Sequence, residues 1–142
     1  MSKKKCLISG VLGYVSRSLC ELLKDDYQIE GFDSNFIPDK VEWLVRNGIK
    51  YHQKDVFGSQ DLLQDVDILA HTSGNTLVPM SLSGSNPTID AEITKNGTLA
   101  TRYLLENTPK NCKFLFFSTH CIWDSLIEEK LDIDESFPPC PL

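Results

Sequence analysis

The chain alternates between short apolar segments and longer amphipathic segments along most of its length. The short segments are rich in strand-forming residues, whereas the longer ones carry apolar residues at helical spacing. Such an alternation predicts parallel βαβ units with right-handed crossovers, because parallel strands need a long crossover connection. We predict strands at 5–9, 27–33, 49–53, 66–72 and 113–119, helices at 13–24, 39–47 and 87–106, and a short helical turn at 59–64.

These elements predict one doubly wound α/β domain of Rossmann type over residues 1–142, with a parallel sheet of about five strands that need not be complete. Asp39 and Glu42 have the spacing of a capping box at the start of the second helix. The Asn-Gly pair at 47–48 ends that helix. The strand at 66–72 is expected to be buried on both faces. Asn86 can cap the long helix at 87–106, which has a proline in its first turn.

Composition and charge exclude several classes of protein. The net charge of −6 argues against a nucleic-acid surface, which needs a basic face. No apolar run approaches the ~20 residues that span a bilayer, and no signal peptide follows the start, so we expect a cytoplasmic protein. The five cysteines include no C-x-x-C pair and therefore predict reduced thiols rather than a disulfide framework or a zinc knuckle.

The first predicted strand leads into the stretch LISGVLGYVSRSL, residues 7–19. Gly10 and Gly13 hold the first two positions of a G-x-x-G-x-x-G pattern, and Ser16 holds the third. The pattern follows a strand and opens a helix within a unit of about 30 residues, the context of a dinucleotide-binding turn. Gly10 permits the tight turn, and Gly13 lets a pyrophosphate approach the helix N-terminus. The alternative is a plain strand-to-helix turn that uses glycines for geometry alone.

Asp33 ends the second predicted strand, 23 residues after Gly10. This is close to the offset of about 20 residues at which an acidic side chain binds the adenosine ribose. A carboxylate there accepts hydrogen bonds from ribose hydroxyls and repels a 2′-phosphate. Since Ser34 and Asn35 follow and no arginine does, we expect NAD rather than NADP. The alternative is an aspartate that caps a helix or orders a loop.

Several motifs together resemble the NAD-dependent epimerase/dehydratase family, the extended short-chain dehydrogenases that act on nucleotide sugars. They are KCLISGVLGYVSRSLCELL, GFDSN, KDVFGSQDLLQDVDILAHTSG, NGTLATRYLLE and KFLFFST with IDESFPPCPL. The resemblance runs from about Lys4 to the last residue, in the family's order and spacing. It implies an NAD cofactor and, in a complete member, hydride transfer between a carbon of a nucleotide sugar and the nicotinamide.

The resemblance also implies roles for individual residues. Asp55 and Val56 would flank the adenine ring, and the stretch from His71 to Gly74 would line the cofactor. Ser118 and Thr119 would end the fifth strand beside the nicotinamide, with Thr119 as the retained catalytic hydroxyl. The expected cofactor contacts are Gly10, Gly13, Tyr14, Val15, Asp33, Asp55, Val56, His71, Thr72 and Ser73.

The chain departs from the family pattern at four places. Ser16 replaces the third glycine, which usually packs the helix against the strand, and we expect a tolerable loss of fit. Thr94 stands where the family motif N-V-x-G-T has asparagine. In STHCIWD the catalytic Ser/Thr position aligns with His120 or, after a shift of one residue, with Thr119. None of the four tyrosines has a lysine four residues later, so the acid/base pair Tyr-x-x-x-Lys is missing.

Two functional hypotheses follow from these observations. The first is the N-terminal, NAD-binding part of a nucleotide-sugar epimerase or dehydratase, without its substrate-binding part and without turnover as this chain alone. The alternative is a non-catalytic nucleotide-binding or protein-interaction module, with the helix at 87–106 as the surface for a partner or a second copy. His71, His120 and Cys121 would lie at neighbouring strand ends, but they lack metal-ligand spacing and a carboxylate partner, so we expect no metal.

Overall fold

The computed structural model describes residues 3–74, 87–118 and 136–139. Within these residues the strands are β1 (Lys4–Ser9), β2 (Tyr27–Asp33), β3 (Lys50–Gln53), β4 (Ile68–His71) and β5 (Lys113–Phe116). The α-helices are α1 (Tyr14–Leu23), α2 (Pro38–Arg46), α3 (Pro87–Thr94) and α4 (Ala100–Asn107). Two short 3₁₀ turns span Val56–Gly58 and Gln60–Leu62, and a π-helical turn, Lys95–Leu99, joins α3 to α4.

The five strands form one sheet in the order β3-β2-β1-β4-β5, and every neighbouring pair runs parallel. Ser9, the last residue of β1, lies opposite Phe32 of β2 and His71 of β4. The chain builds outward from β1 on one side and crosses to its other side after β3. This places a topological switch point between β1 and β4, where doubly wound sheets bind ligands. The predicted doubly wound parallel fold is confirmed.

Apolar side chains are buried on both faces of the sheet, because successive residues of a strand point to opposite sides. Leu7 and Leu69 belong to the cluster on one face, and Ile8 and Ala70 to the cluster on the other. Since Leu69 and Ala70 are neighbours in β4, this strand is buried on both faces, as its apolar sequence predicts. The helices that pack on the sheet contribute Cys20, Leu44 and Leu104.

Helix α2 begins differently from the prediction. The capping box at Asp39 and Glu42 is wrong: the N-cap is Ile37, which makes no side-chain cap, and Pro38 opens the helix. Proline suits this position because its φ is already helical and its missing N–H would have had no intrahelical partner. The end of α2 is as predicted, since Gly48 has a φ of 72° and takes the left-handed conformation there.

Further differences concern the 3₁₀ turns, β5 and the long helix. The short helical turn predicted at 59–64 is present as the 3₁₀ turn Gln60–Leu62, and a second 3₁₀ turn, Val56–Gly58, was not predicted. Strand β5 ends at Phe116 rather than at 119. The helix predicted at 87–106 has helical backbone throughout, but the π-helical turn interrupts it around Gly97, a residue of low helix propensity. The expected cap Asn86 lies outside the described residues, as does most of the loop at 73–86.

No helix among the described parts of the chain combines the length and the apolar character that crossing a bilayer requires.

Candidate functional site

A cleft of about 380 Å³ lies at the carboxyl ends of β1, β2 and β4, beside the switch point of the sheet. Five segments line it: the turn after β1, the end of β2, the loop after β3, the residues after β4 and the π-helical turn. The cleft brings together residues from five places in the sequence: Gly10, Asp33, Asp55, Thr72 and Asn96.

Gly10 is required where the chain leaves β1. Its φ is +70°, a conformation that L side chains rarely adopt, and its N–H donates to the Phe32 carbonyl at 2.9 Å. A Cβ at Gly10 would lie 2.7 Å from the Cα of Ser73. Both the conformation and the close approach of the β4 end therefore exclude a side chain here.

Gly13 is the N-cap of α1 and lines the cleft. Its backbone is extended, and a Cβ would lie 3.1 Å from the Gly10 carbonyl oxygen, a tight contact. The first N–H groups of a helix have no intrahelical partner, and they form the positive end of the helix dipole. Because the first turn of α1 carries no acidic residue, this end of the helix suits an anion.

Asp33 ends β2 at the wall of the cleft, and its carboxylate is held in place from two sides. Oδ2 accepts from the Leu12 N–H at 3.4 Å, and Oδ1 accepts from the backbone and side-chain N–H groups of Asn35 at 3.0 and 3.2 Å. An ionised carboxylate offers about four lone-pair sites, so capacity remains for a ligand hydroxyl. Asp33 can therefore order the turn to Asn35 and bind a ligand in the cleft at the same time.

Asp55 and Val56 form another part of the wall, directly after β3. Asp55 caps the first 3₁₀ turn by accepting from the Phe57 N–H at 3.0 Å, which fixes the path of the chain past the cleft. The Phe57 ring packs 5.3 Å from that of Tyr103 on α4. The half-buried Val56 gives this side of the cleft an apolar surface.

Thr72 and Ser73 follow β4 and line the cleft opposite Gly10. The Thr72 hydroxyl donates to the Ser9 carbonyl at 2.6 Å, and the Thr72 N–H donates to the same carbonyl at 3.3 Å. The Ser73 hydroxyl lies 3.1 Å from that of Ser9. These bonds hold the ends of β1 and β4 together at the switch point.

His71, by contrast, lies behind the cleft wall and is only 1% exposed. Its Nδ1 is 2.8 Å from Ser9 Oγ, and its Nε2 is 2.9 Å from Thr101 Oγ1. The Thr101 hydroxyl donates to the Gly97 carbonyl, so it accepts from Nε2–H, and Nδ1 accepts from a serine hydroxyl. Burial lowers the pKa of His71 and favours this neutral ring. The imidazole therefore links β1 and β4 to Thr101 of α4, which in turn bonds to Gly97 of the π-helical turn.

Other residues singled out in the sequence lie elsewhere. Tyr14 is 91% exposed and Val15 is 48% exposed on the first turn of α1, outside the lining of the cleft. Ser118 is exposed just beyond β5. Thr119, the predicted catalytic hydroxyl, lies outside the described residues. So do His120 and Cys121, which were considered as metal ligands with His71.

Three residues that shape the site were not identified from the sequence. Asn96 lines the cleft from the π-helical turn, whereas Thr94, at the family's asparagine position, does not. Lys40 reaches from α2 to the turn after β1, where its ammonium donates to the Leu12 carbonyl at 2.7 Å. Gly31 in β2 leaves room for Val11, which would lie 2.4 Å from a Cβ. These contacts depend on the tertiary structure. Only the Gly31 contact left a sign in the sequence, a glycine inside the predicted second strand.

A second cleft, of about 420 Å³, lies at the opposite end of the sheet, between the ends of α1 and α2. Lys3, Lys24, Asn47 and Gly48 are among the residues that line it, and Lys24 Nζ donates to Asn47 Oδ1 at 2.8 Å. Helix C-termini carry the negative end of the dipole, which disfavours an anionic ligand. The carboxyl-end cleft is therefore the better candidate for binding a phosphate compound.

No protein-family model matches the sequence, and no curated protein matches it. Solved structures do match the fold. UDP-N-acetylglucosamine 4-epimerase from Methanobrevibacter ruminantium M1, in complex with UDP-N-acetylmuramic acid, superimposes with a TM-score of 0.78 at 19% identity. The match covers 99% of this chain and 45% of the epimerase chain.

Two further solved structures have the same fold. The NAD-dependent NDP-hexosamine 5,6-dehydratase TunA matches with a TM-score of 0.76 at 20% identity, over 98% of this chain and 44% of that chain. ElxO with NADPH bound matches with a TM-score of 0.66 at 19% identity, over 82% of this chain and 56% of the ElxO chain. The chain spans about half the length of these proteins. At these identities the likeness establishes the Rossmann-type fold, and the resemblance drawn from the sequence motifs is confirmed at that level.

Proposed function

We propose that the chain binds a nicotinamide dinucleotide in the carboxyl-end cleft. The observation that carries the proposal is the convergence of Gly10, Gly13 and Asp33 on one cleft at the switch point. A Cβ at Gly10 would clash with Ser73, and a Cβ at Gly13 would crowd the Gly10 carbonyl, so the turn before α1 suits glycine at both positions. The pyrophosphate would lie against that helix end, and the adenosine ribose would bond to the Asp33 carboxylate.

The remaining contacts are those that the resemblance to the epimerase/dehydratase family implies. Asp55 and Val56 would flank the adenine, while Thr72 and Ser73 would line the path of the cofactor past β4. Tyr14 and Val15 would contact the cofactor only if it extends over the first turn of α1. His71 would act from behind the wall, by holding the ends of β1 and β4.

We propose NAD as the cofactor in preference to NADP. The Asp33 carboxylate at the end of β2 would repel a 2′-phosphate, and no arginine follows it in the turn to Asn35. Solved structures of the same fold include both an NAD-dependent dehydratase and a protein with NADPH bound. Their likeness supports the dinucleotide class, and Asp33 supports the choice within it.

The experiment is a calorimetric titration of the chain with NAD and, separately, with NADP. Wild-type protein should bind NAD more tightly than NADP. Asp33→Asn should weaken NAD binding by about tenfold, since a hydrogen bond to a charged group contributes about 1.5–3 kcal/mol, and should narrow the preference over NADP. The matched control is Asp39→Asn, an exposed acidic residue on the first turn of α2, outside the cleft. Binding of neither dinucleotide, or equal effects of the two substitutions, would contradict the proposal.

The wider proposal is the cofactor-binding part of a nucleotide-sugar epimerase or dehydratase, in which bound nicotinamide exchanges a hydride with a sugar carbon. Thr119 is then the catalytic hydroxyl that the sequence retains. Because the chain contains no Tyr-x-x-x-Lys pair, we expect no turnover by these 142 residues. Conversion of UDP-glucose to UDP-galactose by the purified chain with added NAD would contradict this.

A non-catalytic interaction module is the second candidate, and one observation favours it. Leu99 and Leu105, in the helical segment 87–107, are 46% and 54% exposed. Exposed apolar residues on one segment suit a partner or a second copy of the chain. Light scattering across a concentration series tests for the second copy; replacement of both leucines by serine should reduce any association.

A further inference from the structure

Ser16 occupies the position at which a glycine completes the sequence pattern, and it is fully buried. Its hydroxyl oxygen lies 2.8 Å from the Gly10 carbonyl oxygen and 2.6 Å from the Thr72 hydroxyl oxygen. Because the Thr72 proton goes to the Ser9 carbonyl, the single Ser16 proton serves these two acceptors. Ser16 is on α1 and Thr72 follows β4, so the two side chains join elements that are 56 residues apart in the sequence. A glycine could make neither contact.

The two hydroxyls and two successive carbonyls of the β1 end form a closed polar group. Thr72 Oγ1 lies 2.6 Å from the Ser9 carbonyl oxygen, and Ser16 Oγ lies 2.8 Å from that of Gly10. The Gly10 carbonyl also accepts the Gly13 N–H at 2.9 Å. Because Ser16 is inaccessible to water, these bonds face no competition from solvent on its side. This group thus holds the Gly10 carbonyl, which begins the turn 10–13.

We propose that Ser16 and Thr72 are positioning residues that hold the turn at Gly10 to Gly13 in the geometry that accepts the pyrophosphate. The inference rests on the proposed dinucleotide site and assigns to Ser16 a role that the glycine pattern does not contain. Serine at this position is a replacement that adds hydrogen bonds, and restoring the glycine weakens binding. Ser16 is buried and does not line the cleft, so it acts on the ligand through the Gly10 carbonyl and the N-terminus of α1, whereas Thr72 also lines the cleft.

The test measures the dissociation constant of NADH by fluorescence for Ser16→Ala, Ser16→Gly and Thr72→Val, at a temperature where circular dichroism shows each variant folded. Ser16→Ala and Thr72→Val should each weaken binding by about fivefold, the equivalent of one hydrogen bond. Ser16→Gly should weaken it further, since glycine also lowers helix propensity at the start of α1. Ser18→Ala, an exposed serine of the same helix, is the control and should bind as wild type does.

A double-mutant cycle separates positioning from general stability. Ser16→Ala combined with Thr72→Val should weaken NADH binding by less than the product of the single effects, because both remove the same contact. A purely structural role would lower the melting temperature and leave the dissociation constant unchanged, which would overturn the inference. If wild-type protein binds NADH and Ser16→Ala binds it equally, the inference alone fails. If wild-type protein binds neither NADH nor NADPH, the proposed function fails and the inference with it.

Discussion

At the residue scale, two glycines have nearly the same positive φ but different surroundings. Comparing them distinguishes the cost of backbone strain from the cost of a steric clash. Gly10 has a φ of +70° and Gly48 a φ of +72°. A Cβ at Gly10 would meet the backbone of Ser73 at 2.7 Å, whereas a Cβ at Gly48 would meet no atom within 4 Å. Gly48 is therefore a natural control for Gly10.

We expect Gly48→Ala to lower the free energy of unfolding by about 1–2 kcal/mol, the cost of a left-handed conformation for an L residue. Gly10→Ala should cost at least about 1 kcal/mol more, because the end of β4 must also move. Urea denaturation checks both values. Equal costs for the two substitutions would show that the approach of Ser73 to Gly10 is not tight.

Single residues also show what sequence reasoning can and cannot supply. Gly10, Gly13 and Asp33 line one cleft, and the sequence singled them out because their spacing within one βαβ unit is local information. Ser16 was expected to reduce the fit, yet the structure gives its hydroxyl two partners. One of these partners, Thr72, comes from a distant segment, and no local pattern predicts such a contact.

At the element scale, the end of β4 determines how the cleft is held. His71 bonds to Ser9 of β1 and to Thr101 of α4, and its ring is buried. The sequence predicted a buried β4 but assigned His71 to the lining of the cofactor. The π-helical turn that brings Thr101 and Gly97 to this position was not predicted, because a single extra residue per turn leaves almost no trace in an apolar pattern.

Protonation of His71 should destabilise the fold. Burial lowers its pKa in the folded chain, so the unfolded chain binds the proton more readily. Stability is therefore complete above the unfolded pKa, near pH 6.5, and falls as the pH drops from that value through the lower pKa of the folded chain. Chemical denaturation of wild type and His71→Asn from pH 8 to 5 should show the difference in unfolding free energy shrinking below about pH 6.5.

The control for this prediction is His52→Gln. His52 lies on β3, away from His71, and its Nε2 is 2.8 Å from the Glu30 carboxylate. Because His52→Gln keeps His71, this variant should still lose unfolding free energy below about pH 6.5 as wild type does. A wild-type advantage over His71→Asn that stays constant across the whole pH range would contradict the assignment to His71.

At the scale of the whole molecule, the reactivity of buried thiols measures global unfolding, because the core on the two faces of the sheet must open before a reagent can reach them. Burial raises the pKa of Cys6 to about 11 and that of Cys20 to about 12. Both are inaccessible, whereas Cys112 is half-buried beside β5. Among the three cysteines of the described residues, iodoacetamide at pH 8 should therefore label Cys112 first and should reach Cys6 and Cys20 only in urea, as peptide mass spectrometry can show. Labelling of Cys20 at equal rates with and without urea would contradict the packing of α1 on the sheet.

The overall architecture was predictable because the alternation of strand and helix segments, with right-handed crossovers, leaves few ways to order five parallel strands. The order β3-β2-β1-β4-β5 and the cleft at its switch point are observations of the structure, because right-handed crossovers alone do not determine which strands are neighbours. The predicted catalytic hydroxyl stays a prediction. Thr119 lies outside the described residues, and the chain spans about half the length of the solved structures of this fold.

The central claim is that the carboxyl-end cleft binds a nicotinamide dinucleotide, and chemical-shift mapping with NAD tests it most directly. In ¹⁵N–¹H spectra, saturable shifts should cluster at cleft residues such as Gly13, Asp33 and Ser73. Amides at the opposite cleft, such as those of Lys24 and Gly48, should stay unmoved. Absence of saturable shifts, or shifts that cluster around Lys24 and Gly48, would contradict the account.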